Sequence, residues 1–137
     1  MDIRDSLELI LTEEQPRFIK NFYAHLFAHH PKFERLFDGV DRRRQGVMVV
    51  MSLETMVNQH LRPFPAMERY FKVLGHKHYQ YGVDVDDYPA FEDSLLTTFR
   101  ELHGDLWSQN IEREWREACS QAVELMKEGH RDDFESE

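Results

Sequence analysis

The chain has 137 residues, enough for one domain that buries a core and encloses a pocket. Its 41% hydrophobic and 31% charged residues are an ordinary globular mix, and a formal net charge of −9 argues against binding a phosphate backbone or an anionic membrane surface. One cysteine, Cys119, excludes an internal disulfide and a cysteine-rich zinc site; with no signal-like segment, a reducing cytoplasmic home is expected.

Apolar residues recur mostly at spacings of three and four, which predicts an all-helical protein without repeats. A short first helix is expected over about residues 3–12, with Leu7, Ile10 and Leu11 on one side. The second runs from about Gln15 to His29, with Pro16 in its first turn and Ile19, Phe22, Tyr23, Leu26 and Phe27 on its apolar face. Pro31 opens a short third helix carrying Phe33, Leu36 and Phe37, and "DGVDRR" reads as a loop. The run Val47–Met51 resembles a buried strand and is far too short to cross a bilayer. The set Val49, Val50, Leu53, Met56, Val57 and Leu61 continues over too many turns for a strand, so this segment is helix, ended by Pro63 and Pro65. Another helix reaches about Gln80, and "GVDVDD" is a turn with Asp86 or Asp87 as cap. Tyr88, Phe91, Leu95, Phe99 and Leu102 mark a long helix stopped near Gly104. Ile111, Trp115, Ala118, Ala122 and Leu125 or Met126 mark the last. The domain is expected to span 1–128, with 129–137 a charged, fraying tail.

The stretch "GHKHYQYGV" holds two histidines two positions apart. On a helix they point about 200° apart, so they cannot share a face. Spacing places His78 with Phe71, Leu74 and Tyr81, toward the interior, and His76 with Lys72 and Gln80, toward solvent. On spacing alone, His78 fits a hydrogen-bonded core histidine as well as a ligand. His25, His29 and His30 cluster at helical spacing, but no acidic or cysteine partner is spaced to complete a metal site, and a solvated face accounts for them.

Read together, "NFYAHLFAHHPKFERLF" (21–37), "RQGVMVVMSLETMV" (44–57) and "GHKHYQYGVDVDDYPAFEDSLL" (75–96) resemble the bacterial globins, and more narrowly the flavohaemoglobin-related single-domain globins. The pairing of the first and third segments is the most specific part, and the resemblance covers nearly the whole chain. It implies the three-over-three globin fold around one haem b. His78 matches the proximal iron ligand, and Tyr88 matches the tyrosine beside it. Phe37, Val49, Leu74 and Val83 match haem contacts. Tyr23 and Gln45 match the distal positions, with Val49 crowding the ligand site and Arg44 and Met48 the neighbouring registers for Gln45. Arg44 and Lys77 are candidates for holding propionates. Relatives with strong redox chemistry carry a glutamate late in the last helix, completing a His–Tyr–Glu set. His130 falls there, and Glu124 or Glu128 could substitute.

The resemblance implies reversible binding of O2, NO or CO by a monomer or homodimer, with no nucleic-acid or membrane partner. A second reading is nitric oxide dioxygenation with an external reductase, since no flavin or nicotinamide segment follows. A third is a haem-based gas sensor whose output lies in another protein. A fourth is a plain helical bundle in which the histidines are incidental.

Overall fold

A computed structural model describes residues 1–131. The architecture is all-α: α1 (Ile3–Glu8), α2 (Gln15–His29), α3 (Arg42–Leu61), α4 (Pro65–Gln80), α5 (Tyr88–His103) and α6 (Gln109–Glu128). Short 3-10 turns cover Pro31–Phe37, Val85–Asp87 and Gly104–Leu106, and a π-helical turn, Leu9–Glu13, extends α1. Among the described residues no strand occurs, and no helix is long and apolar enough to cross a membrane. The residues 132–137 of the expected tail lie outside the described residues.

Local chemistry explains the boundaries. Asp2 and Asp5 form a reciprocal capping box that starts α1. The Asp41 carboxylate accepts from the backbone N–H groups of Arg43 and Arg44, at 3.0 and 3.3 Å. That cap starts α3 at Arg42, so the expected loop "DGVDRR" loses its last two residues to helix. Asp87, one of the two expected caps, stands at the N-cap position of α5, and Asp84 caps the 3-10 turn before it: the Asp84 and Asp87 carboxylates serve each other's backbone N–H groups. Asp87, 6% exposed, also pairs with Lys32, tying the Pro31–Phe37 turn to the start of α5.

Two helix pairs dominate the packing, α4 with α6 and α2 with α5, and α3 and α1 also meet α6. The α4–α6 crossing is very close. A Cβ added at Gly75 would lie 2.0 Å from the Met126 carbonyl oxygen, and one at Gly129 would lie 1.9 Å from that of Lys72. Phe18, Phe99 and Trp115 form the centre of the core, with ring centroids 5.7 Å apart for the first two and 4.5 Å for the last two. Beside them a polar chain is fully paired. His103 Nδ1–H donates to the Phe99 carbonyl at 2.6 Å, so its Nε2 accepts from the Ser6 hydroxyl at 2.7 Å. The Ser6 oxygen in turn accepts from Trp115 Nε1–H at 2.9 Å.

Three expectations are corrected here. Leu61 ends the apolar pattern of α3 on the surface, at 47% exposed, because it occupies the helix's last position. Tyr81 is 75% exposed because α4 ends at Gln80 and the chain has begun to turn away. His76 is buried at 4%, not solvent-facing; its ring bonds to the Gly129 carbonyl at 3.0 Å. The physical reason is that α4 is covered on two sides. Its Gly75–His76 side lies against α6 and the residues just after it, so lack of apolar character did not mean exposure. The His25 face is also less open than expected, since His25 Nδ1 bonds with Ser94 of α5 at 2.8 Å.

Candidate functional site

His78 sits in the last turn of α4, one turn after Leu74. Its carbonyl accepts from the Val83 N–H at 2.9 Å, and Gly82, at φ +94°, makes the left-handed reversal that returns Val83 to the interior. Burial, aided by the nearby His130, pushes the His78 imidazole down to about 4. At neutral pH it is therefore an uncharged ring with a lone pair, the state a metal ligand needs. The hydrogen-bond contact that its ring makes, with the Tyr88 hydroxyl, is at Nδ1.

Tyr88, the first residue of α5, is 3% exposed, and burial raises its ionisation well above the usual phenol range. Its hydroxyl lies 3.5 Å from His78 Nδ1, a long contact, and 2.6 Å from His130 Nε2, a short one. His130 thus lies against the Tyr88 hydroxyl, at the position where the resemblance led one to expect a glutamate. Neither glutamate substitutes for it: Glu128 pairs with Lys72 at 3.1 Å and Glu124 with Lys127 at 3.5 Å. Gly129 and His130, assigned to the tail from sequence, pack against α4 and α5.

A second set of side chains gathers around Tyr23 of α2. Its ring lies 5.1 Å from Phe22, 5.8 Å from Phe27 and 5.3 Å from Phe37, and Phe27 and Phe37 are themselves 5.3 Å apart. Among the described residues the buried Tyr23 hydroxyl has no partner at full hydrogen-bonding geometry, and Gln45 is the polar side chain nearest to serving it. Burial pushes its ionisation up to about 12, so it remains a phenol with a proton to donate. Arg42 and Gln45 lie near enough to moderate that rise, with Gln45 outside hydrogen-bonding geometry in this structure. The Arg42 guanidinium stacks over Phe27, 4.9 Å from the ring centre.

Phe37, Val49 and Leu74 are half-buried apolar residues at the margin of the core, whereas Val83 is buried. Arg44, Met48 and Lys77 are exposed. The structure therefore gathers Leu74, His78, Val83 and Tyr88 into one neighbourhood and Tyr23, Phe37 and Gln45 into another. The residues fit an iron porphyrin on two counts. One is the buried Tyr23 hydroxyl without a full hydrogen-bond partner, and the other is a neutral imidazole whose ring contact is at Nδ1.

The sequence matches the family model described as Globin over residues 20–126. The chain belongs to the globin family. Similar relatives include the flavohemoprotein of Halalkalibacterium halodurans, 29% identical over 80% of this chain and 27% of the relative. The flavohemoprotein of Vibrio cholerae is 25% identical over 80% of the chain and 28% of its own length. That of Rhizobium meliloti is 23% identical over 91% and 31%. This globin chain thus spans less than a third of the length of the relatives it matches.

Sequence reasoning missed two features of this globin. His76 is a structural tie between α4 and the end of α6, and the clue was the glycine beside it, Gly75, which only a close helix crossing requires. Arg42 stands against the aromatic wall that holds Tyr23; nothing in its spacing distinguished it from Arg43 and Arg44.

Proposed function

We propose that this chain is a haem-binding globin that takes up a diatomic ligand, O2, NO or CO, at one haem b. The Tyr23 hydroxyl carries this reading. Leaving a buried hydroxyl unpaired costs about 1–3 kcal/mol, a cost that a polar ligand accepting its proton would offset. When bound, the haem supplies an iron with one open position for such a ligand. His78 would hold the iron through Nε2, and Tyr88 would fix the ring by accepting from Nδ1–H. Tyr23 would donate to the bound ligand, Gln45 is close enough to join it, and Val49 would limit the space. Phe37, Leu74 and Val83 supply apolar contact with the porphyrin and help exclude water. Absorption spectra of the ferric, ferrous and carbonyl states test this, and a protein that shows no Soret band after reconstitution contradicts it.

A second reading is nitric oxide dioxygenation with a separate reductase. Its support is the name flavohemoprotein shared by relatives about three times as long. Sustained NO consumption with an added flavin reductase supports this reading, and a single turnover without recycling removes it.

A further inference from the structure

The Tyr88 hydroxyl has one proton and two histidine neighbours, at 2.6 and 3.5 Å. Two arrangements are possible. Tyr88 can donate to His130 Nε2 and accept from His78 Nδ1–H, which leaves the His78 Nε2 lone pair free. Alternatively His130 Nε2–H donates to Tyr88 and Tyr88 donates to His78 Nδ1, which places the His78 proton on Nε2 and closes it to a metal. The short contact to His130 makes the direction of that bond decisive for His78.

We propose that His130 is a positioning residue for the iron-binding imidazole, acting through Tyr88 as a neutral acceptor held as the Nδ1–H tautomer. The inference rests on the haem reading above. Among the described residues, His130 stands beside the Tyr88 ring at 5.4 Å, the Tyr79 ring at 5.8 Å, the Asp84 charge, and His76, whose own ring is held by the Gly129 carbonyl. Burial and His76 outweigh Asp84 and keep His130 below the ordinary histidine value, which favours the neutral ring. A neutral acceptor polarises Tyr88 less than a carboxylate would, since hydrogen bonds with one ionised partner are roughly twice as strong. Tyr88 therefore draws less on His78 Nδ1–H, and the imidazole donates less charge to the iron than it would with an acid at position 130.

The test uses the full chain loaded with haem, and reads the iron–histidine stretch of the ferrous protein by resonance Raman. The stretch should rise from His130→Leu to wild type to His130→Glu, with His130→Gln close to wild type because it keeps a neutral acceptor. On a Tyr88→Phe background those differences should collapse. Nitrogen NMR of the CO-saturated protein should show His130 protonated on Nδ1 alone. Haem loss to an acceptor should quicken in His130→Leu, by about 10-fold or more. If His130→Leu does not fold, the Gln and Glu variants carry the comparison. An unchanged stretch in Gln and Glu variants that hold haem overturns the inference while leaving the haem reading intact. A wild-type protein without a Soret band overturns both.

Discussion

His76 and Gly129 join α4 to the end of α6 through a 3.0 Å hydrogen bond that is buried on both sides. His78, two residues on, serves a different neighbourhood with Tyr88 and His130. One helix therefore carries a structural histidine and a candidate ligand on opposite faces. His76→Ala should leave the Gly129 carbonyl without this partner and destabilise the fold by about 1–3 kcal/mol. Denaturant unfolding should show that loss, while the Soret band of the haem-loaded variant stays.

The close crossing makes a sharper prediction at Gly75. A methyl group there meets backbone, the Met126 carbonyl, and not a flexible side chain. Gly75→Ala should destabilise at or above the ~3 kcal/mol top of the usual overpacking range. The helix preference of alanine, about 1 kcal/mol, is too small to offset it. Thermal unfolding measures this directly, and a variant as stable as wild type would show that α4 and α6 are further apart.

Tyr23→Phe separates the roles of a buried hydroxyl. Without ligand, the change removes an unpaired polar group and should raise the unfolding temperature slightly. With O2, it removes a donor to a partly charged ligand, costing about 1.5–3 kcal/mol. Stopped-flow release of O2 should therefore be roughly 10–100-fold faster than in wild type. An unchanged release rate would mean that Tyr23 does not face the ligand.

Acid should weaken the fold through His103. Burial lowers its proton affinity below the ordinary value of 6.5, against the weaker opposing effect of the Phe99 carbonyl. The folded state holds it neutral, so the unfolded state binds more protons once the pH falls below about 6.5. The stability it contributes is complete above that value and is lost progressively as pH drops toward the lowered folded value. Unfolding temperatures from pH 8 to 5 should fall, and His103→Gln should flatten the part of the slope that His103 causes.

Much of this was legible from spacing and turn chemistry. The ends of α2 at Gln15 and His29 and the stop at Pro63 and Pro65 follow from local rules, whereas His78, expected to face inward, is half-buried and less covered than His76. What spacing could not show was coverage by distant elements. His76 looked solvated because it joined Lys72 and Gln80, yet the end of α6 lies over it. Tyr81 looked internal because it continued the 71, 74, 78 face, yet the helix had already ended. The partner of the Tyr88 hydroxyl was legible only as a position. That His130, and neither Glu124 nor Glu128, reaches Tyr88 depends on how the chain turns after α6.

Whether His78 holds a haem iron is decided by titrating the haem-free protein with haem, followed by absorption, for wild type, His78→Ala and His76→Ala. We predict a Soret band that saturates at one haem per chain in wild type and in His76→Ala, and a severe loss of haem affinity in His78→Ala. No Soret band in wild type, or equal losses in the two histidine variants, would contradict the account.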